Sequence, residues 1–377
     1  MRVLTEYTLS DLQKDLTSFG FEPYRAKQIL KWVYGKFVTD FDLMTDLPKE
    51  MRKTLKEIFK VHTLEMVDKV PAPDSVKYLF RTEDGHLIET VLIRERDHLT
   101  LCVSTQIGCA VGCTFCATAL DGLIRNLKAS EIVDQYLMVA EDTGERIRNV
   151  VFMGMGEPLA NYDNLRKAVQ IMISPWGLDL SKRRVTISTS GIIAQIRRMM
   201  EDEVLRDINL AVSVNATTQR LREKIMPLTK TNTLKDLIAL LKRYPLKPYR
   251  RITLEYVLIK DLNDSEEDAL RLAGLIGRHR KRFKVNLIPF NPDPNLPYER
   301  PPLERILRFQ RILWEKGIST FVRFSKGADV FGACGQLRAK RPVVRSLNHE
   351  EPAQVGNGAC CNSPGGSPDQ GDPRTGL

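Results

Sequence analysis

The chain has 377 residues, 42% of them hydrophobic and 28% charged, a balance that supports a large folded core and excludes a wholly disordered protein. No run of 18 apolar residues occurs and the N-terminus lacks a signal-peptide core, so neither a transmembrane helix nor secretion is expected. Lys and Arg number 57 against 47 Asp and Glu; the excess lies wholly before residue 346 and points to a polyanionic partner or a solvated basic surface.

Residues 1–62 read as a small helical domain. Leu9, Leu12 and Leu16 fall at helical spacing before Gly20. Ile29, Leu30, Trp32, Val33 and Phe37 predict a second amphipathic helix through PYRAKQILKWVYGKF, and LPKEMRKTLKEIF predicts a third. The three are expected to form a bundle separate from the rest, and Tyr24, Arg25, Lys27 and Lys31 would suit a reader of RNA shape. Residues 63–98 change period. Two β-rich runs in VKYLFRTEDGHLIETVLI flank Glu83-Asp84-Gly85, which predicts a β-hairpin extension.

From residue 99 to 345 strands alternate with helices. The strand candidates are LTLCVST, NVVFMGM, RRVTISTS, INLAVSV, RITLEYVLI, KVNLIPF and STFVRFS. Helical patterns lie between them, among them ASEIVDQYLMVAED, NLRKAVQIMI, TLKDLIALLKRY and SEEDALRLAGLIGRH, and PLERILRFQRILWEKG precedes the last. This alternation predicts an α/β fold with a parallel sheet: a partial (β/α)6 TIM-like barrel whose chemistry sits at the strand C-termini. Residues 346–377 hold six Gly and four Pro with few apolar residues, and are expected to be a disordered tail.

The chain has seven cysteines. An odd count, with three of them crowded together, argues for reduced thiols in the cytoplasm rather than a disulfide scaffold. Cys109, Cys113 and Cys116 form C-x3-C-x2-C directly after the first barrel strand. Three thiolates on one loop suit a metal cluster with one open position; spacing alone also fits buried thiols or zinc completed by a distant ligand. Gly156 and Glu157, in GMGEP, end the second strand, where the backbone can approach a ligand and the carboxylate can accept from an ammonium. Ser188, Ser213, Val214, Asn215 and Asn291 lie at later strand ends, suited to a ribose, a carboxylate and an adenine, or to ordinary turns and caps. Three basic stretches, Lys182-Arg183-Arg184, Arg278 to Lys284 and Arg338 to Arg345, suit phosphates or a solvated face.

The cysteine spacing in this location resembles the radical-SAM signature. The longer stretches TLCVSTQIGCAVGCTFCATALDGLIRNL, NVVFMGMGEPLANYDN, LSKRRVTISTSG, EYVLIKDLND, VNLIPFNP and FGACGQL together resemble the RlmN/Cfr family of RNA methyltransferases, over about residues 9 to 345. The resemblance implies a radical-SAM barrel with a C-terminal loop carrying Cys334. It implies a 4Fe–4S cluster on Cys109, Cys113 and Cys116 with one open iron, and two molecules of S-adenosylmethionine per methylation, bound at Gly156, Glu157, Ser188, Ser213, Val214, Asn215 and Asn291. The implied substrates are 23S rRNA, at adenine 2503 of the peptidyl-transferase centre, and tRNA, at adenine 37, with methylation at carbon 2. Cys334 would carry the methyl group, Cys102 would resolve the RNA adduct as a Cys102–Cys334 disulfide, and Glu89, which resembles the family's proton acceptor, or Cys102 would take the carbon-2 proton. An electron donor such as flavodoxin or ferredoxin is implied, for a monomer with no membrane association. Asn215 departs from members with His there, and the tail with Cys360 and Cys361 lies outside the family pattern. Methylation at carbon 8, or a structural cluster in a non-enzymatic RNA-binding protein, are the alternatives.

Overall fold

The computed structural model describes residues 1–339. The predicted disordered tail, Cys360 and Cys361, and the basic stretch beyond Ala339 lie outside the described residues.

The main sheet has ten strands. Its parallel part comprises the first barrel strand (Leu99–Cys102), then Asn149–Phe152, Val185–Thr189, Asn209–Ser213, Ile252–Leu258, Phe283–Pro289 and Thr320–Val322. Each of the seven expected segments supplies one of these strands, rich in Val, Ile and Leu as buried parallel strands require. They neighbour one another in sequence order, so successive crossovers step the same way round and gather the strand C-termini at one end. Thr320–Val322 and Leu99–Cys102 are not neighbours, so the barrel is open, as expected for a radical-SAM fold.

The hairpin is present as Ser75–Thr82 and Leu87–Arg94, continued antiparallel to the first barrel strand. A further edge strand, Leu64–Ala72, pairs with Ser75–Thr82 and was not predicted. Its Pro71 argued against a strand, but an edge position tolerates a residue that cannot donate.

Helices form at Leu9–Ser18, capped by Thr8 with Asp11, and at Lys49–Ile58. The predicted second helix runs Arg25–Leu30, widens into a π-type turn over Lys31–Gly35 and stops there; Phe37, expected on its face, lies beyond the end with a φ of 56°. Two crossover helices, Ile193–Glu201 and Gln219–Ile225, were missed.

The N-terminal helices were expected to stand apart. Instead Leu12, Leu16, Ile29, Leu30 and Leu55 belong to one apolar core with the barrel's Ile132, Val133 and Leu137. The crossover helix Ala129–Thr143 lies between, which is why its Glu131, Asp134 and Gln135 are buried too. Each finds partners, as burial requires. Asp134 accepts from the amides of Thr63 and Leu64, at 2.7 and 2.9 Å, and contacts His62 Nδ1 at 2.5 Å. Burial opposes the charge on His62, but Asp134, with Glu141 beyond it, raises the imidazole above its ordinary value. A raised folded value means that this anchor stabilises fully below the unfolded histidine value and weakens as pH rises through the folded one. His62→Gln is expected to flatten the fall in melting temperature between about pH 6 and 8; an unchanged profile would show that His62 does not carry it. Among the described residues no helix is long and apolar enough to cross a membrane.

Candidate active site

The barrel's C-terminal end opens into a cavity of about 930 Å³ of empty space, its mouth included. Cys109, Cys113, Cys116, Gly156, Glu157, Ser188, Ser213, Asn215, Asn291 and Cys334 all line it. Residues spread over 226 positions of chain thus meet in one place.

The cysteine loop is set by its base. After the first barrel strand, Gln106–Gly108 pairs antiparallel with Leu123–Asn126, and Cys109 N donates to Gly122 O at 2.8 Å. Gly108 holds a φ of 75°, and a Cβ there would sit 1.9 Å from Gly122 O, so only glycine closes this loop. Thr114 N donates to Ile225 O at 3.0 Å, fixing the loop against the helix Gln219–Ile225. The three thiols are free among the described residues. Burial pushes Cys109 up to about 12, and raises Cys113 and Cys116; for Cys113 the charges of Cys116 and Cys109 add to it. Three adjacent thiols that cannot ionise alone fit a site where bound metal supplies the compensating charge. The donor set suits an iron–sulfur cluster with one iron left open.

At the second strand's end Gly156 has a φ of 100°, and a Cβ there would meet Gln106 at 2.5 Å. Glu157 follows. Its Oε2 accepts from Ser190 N at 2.6 Å and its Oε1 from Leu159 N at 3.0 Å. Burial raises its pKa, and these bonds only partly offset that. The carboxylate, buried in the cavity wall, fits the ammonium of an amino-acid moiety. Asn215, at φ 55°, is fixed by Oδ1 accepting from Val257 N at 2.9 Å and by its carbonyl accepting from Asn263 Nδ2 at 2.8 Å. Val214 differs from its neighbours: its side chain packs into the core and does not line the cavity, its N–H donates to Glu255 O at 2.9 Å, and its carbonyl accepts from Ala216 N and from Arg222.

Cys334 is exposed on a loop after the last strand. Burial by its surroundings, and then the charge of Glu255, raise its thiol pKa. Its carbonyl accepts from Asn291 Nδ2 at 3.0 Å. The loop is seated on the cysteine loop: Ala117 N donates to Gly335 O at 2.7 Å, Thr118 Oγ1 to Leu337 O at 2.7 Å, and Arg338 grips Asp121 through two bonds of 2.8 Å. Cys102 is buried at the end of the first barrel strand. Burial first, and the charge of Cys334 second, raise its thiol well above the ordinary range.

Glu89 is buried rather than solvent-facing and does not line the cavity. It stands two residues beyond Val91, which pairs with Cys102. Lys77 Nζ lies 3.0 Å from its Oε1, and Arg338 N donates to its Oε2 at 2.7 Å, so it touches the Cys334 loop directly.

Two residues escaped the sequence reading. Glu255, buried in the cavity wall beside Cys334, accepts from Asn286 Nδ2 at 3.0 Å, and burial raises its pKa. Arg222 is completely buried, and burial pushes its pKa down to about 10. Its guanidinium donates to the carbonyls of Ser190, Asn232, Val214 and Ser213, at 2.6, 3.0, 3.3 and 3.4 Å. It ties together the loops that present Ser188, Ser213 and Asn215. Arg222→Met would orphan these carbonyls and is expected to cost about 3–5 kcal/mol, read as a lower urea midpoint at unchanged slope. A midpoint equal to the parent's would show that water replaces the guanidinium without loss.

Two of the basic stretches do not border this cavity. Lys182-Arg183-Arg184 and Arg278 to Arg282 immediately precede the third and sixth parallel strands, at the barrel end away from the cysteines. Of the N-terminal candidates, Tyr24 is exposed, whereas Arg25 is bound to Gln28 and the Asp46 carbonyl.

Comparison with known proteins adds names to this geometry. Residues 103–273 match the Radical SAM superfamily, and residues 3–61 match the ribosomal RNA large subunit methyltransferase N-terminal domain. The chain is 70% identical over 342 residues to a probable dual-specificity RNA methyltransferase RlmN of Aquifex aeolicus, covering 90% of this chain and 98% of that protein. It is 44% identical to the dual-specificity RNA methyltransferase RlmN of Geobacter sulfurreducens, over 90% of this chain and 92% of that one. Among solved structures, a radical SAM methyltransferase from Sphaerobacter thermophilus superposes with a TM-score of 0.85 at 42% identity, covering 90% of this chain and all of that one.

Proposed function

The chain belongs to the RlmN family of dual-specificity RNA methyltransferases within the radical-SAM superfamily, and on that premise we propose that it methylates carbon 2 of adenine in 23S rRNA and in tRNA. The observation that carries this reading is the presence of a fourth cysteine, Cys334, in the cavity of the cysteine triad.

Carbon 2 of adenine lies between two ring nitrogens and is electron-poor, so it cannot displace a methyl group from a sulfonium. A carbon radical can add to it. Cys109, Cys113 and Cys116 would hold the 4Fe–4S cluster; Gly156 and Glu157 would hold the methionine amino group of S-adenosylmethionine. Ser188, Ser213, Asn215 and Asn291, which line the cavity, would hold its remaining polar groups; Val214 would act only by positioning its neighbours. Bound there, cluster and cosubstrate supply a methyl group and, on one-electron reduction, a means of removing a hydrogen atom. Cys334 takes the methyl group on its sulfur and presents it to the base, which must be unstacked to enter. The carbon-2 proton would go to Glu89, beside the Cys334 loop, or to Cys102, and the unpaired electron of the adduct would return to the cluster that Cys109, Cys113 and Cys116 would hold, leaving a closed-shell thioether. Release needs the bond between the Cys334 sulfur and the new carbon to break. The Cys102 thiolate attacks that sulfur, the electron pair leaves with the carbon, which takes a proton, and a Cys102–Cys334 disulfide remains. The raised pKa of Cys102 means that it must be deprotonated at that moment and not before.

The RNA substrates fit the cytoplasm, and the reductive chemistry calls for a low-potential electron donor such as a flavodoxin or ferredoxin. Mass spectrometry of protein prepared with its cluster intact is expected to find a methyl group on Cys334 and on no other cysteine. Cys334→Ala is expected to bind iron and cleave S-adenosylmethionine yet transfer no methyl to RNA. Normal RNA methylation by Cys334→Ala would refute the carrier role.

A further inference from the structure

Two of the basic stretches, Lys182-Arg183-Arg184 and Arg278 to Arg282, converge at the end of the barrel opposite the cavity. Side chains and carbonyls stitch them into one rim: Arg184 Nη1 donates to Asn149 Oδ1 at 3.2 Å, Asn209 Nδ2 to Arg183 O at 2.7 Å, Arg250 Nη1 to Asn209 Oδ1 at 2.6 Å, and Arg251 Nη1 to Ser319 Oγ at 2.8 Å. Arg282 reaches the Tyr244 carbonyl. The rim thus runs beneath six successive strands. Asp207 is set among these cations, with Lys247 at 2.9 Å and Lys182 at 4.0 Å, and Asp202 also acts on Lys182. Positive charge is in excess there. Partial burial, and then repulsion by Arg183, lowers the Arg250 pKa; Lys182 is likewise lowered by burial, with Lys247 and Arg206 opposing its charge.

At the centre of the rim stands Tyr249, fully exposed. It occupies the third position of the turn Lys247-Pro248-Tyr249-Arg250, closed by Arg250 N donating to Lys247 O at 3.1 Å. Proline in the second position and a φ of 64° in the third make this a type II turn. That third position favours glycine. Here the turn instead holds an aromatic ring in a left-handed backbone conformation, out in solvent among arginines, and strain of this kind collects at functional positions.

We propose that this rim is a second RNA-contact surface, on which cations hold the phosphate backbone of a long substrate while Tyr249 stacks on an unpaired base. The inference rests on the RNA-methyltransferase reading. Cations over phosphates with an aromatic platform between them are the usual means of holding single-stranded RNA. An acidic electron donor is the poorer fit, because it must approach the cysteines, and the strand Ile252–Leu258 alone separates the two ends by about 20 Å. An RNA domain is large enough to reach both ends at once, whereas a short stem-loop fills the cavity mouth only.

The test compares an unmodified transcript of the 23S rRNA peptidyl-transferase region with a short stem-loop carrying the target adenine. Arg183→Ala, Lys247→Ala and Arg251→Ala combined are expected to weaken binding of the long transcript at least tenfold. They should also lower the slope of log affinity against log salt by about two to three, while stem-loop methylation stays at the parent rate. Tyr249→Gly relieves the backbone, so it should keep the parent's melting temperature yet bind the long transcript about tenfold more weakly; Tyr249→Phe should bind as the parent does. An unchanged affinity and salt slope in the triple variant would overturn the phosphate surface, and parent-like binding by Tyr249→Gly would overturn the stacking platform. A parent protein that methylates neither RNA would instead refute the functional reading on which both rest.

Discussion

Cys102→Ala protein, supplied with S-adenosylmethionine, reductant and RNA, is expected to end its first turnover as a covalent protein–RNA adduct. The thioether joining Cys334 to the base does not dissociate unaided; its sulfur must be attacked by a second thiolate. Cys102 ends the first barrel strand, whereas Cys109, Cys113 and Cys116 would be committed to the cluster. The adduct should survive denaturation, migrate as protein and RNA together, and be absent from the Cys334→Ala, Cys102→Ala double variant. Repeated turnover by Cys102→Ala without an adduct would assign resolution to another thiol. Burial of Cys102 also gives the parent enzyme a pH dependence. Because its thiol pKa is raised, adduct resolution should accelerate with rising pH while methyl loading of Cys334 is monitored separately.

Replacing any one of Cys109, Cys113 and Cys116 by Ala is expected to reduce iron content from about four atoms per chain to near zero after anaerobic reconstitution. Two thiolates on a loop of this size cannot retain a four-iron cluster. Reductive cleavage of S-adenosylmethionine should vanish with it, and Cys334 should remain unmethylated. The fold should survive, because the loop is closed by backbone bonds and by Gly108 rather than by metal. Circular dichroism and melting temperature are therefore expected to stay near the parent values for the metal-free proteins. Stoichiometric zinc without iron in the reconstituted parent would contradict the cluster assignment.

Much of this arrangement was legible in the sequence because it follows from local pattern. The seven parallel strands are short apolar runs bounded by helices of 3.6-residue period, and parallel order alone brings Cys109, Glu157, Ser188, Ser213 and Asn291 to one end. The hairpin was legible from Glu83-Asp84-Gly85. What escaped depends on contacts distant in the chain. Arg222 lies in QRLREKI, where charge reads as a solvent face; only the loops after the third and fourth strands make an inward guanidinium the better solution. Glu255 was masked by its apolar neighbours in ITLEYVL. Lys77 shares the hairpin with Glu89, but the cross-strand diagonal that pairs them appears only in the register, with Tyr78 opposite Thr90 and Leu79 opposite Glu89. The short helix Ile193–Glu201 was detectable from Ile193, Ile196 and Met200 at helical spacing. The placement of two basic stretches was also detectable: each immediately precedes a barrel strand and so belongs at the end away from the cysteines.

The central claim is the site of methylation, and nucleoside mass spectrometry tests it most directly. The anaerobically reconstituted enzyme is incubated with unmodified 23S rRNA, S-adenosylmethionine and a low-potential reductant, and the RNA is digested to nucleosides. The account predicts 2-methyladenosine, formed only when both Cys334 and Cys102 are present for turnover. Formation of 8-methyladenosine, or of no methylated adenosine by protein that holds its cluster and cleaves S-adenosylmethionine, would contradict it.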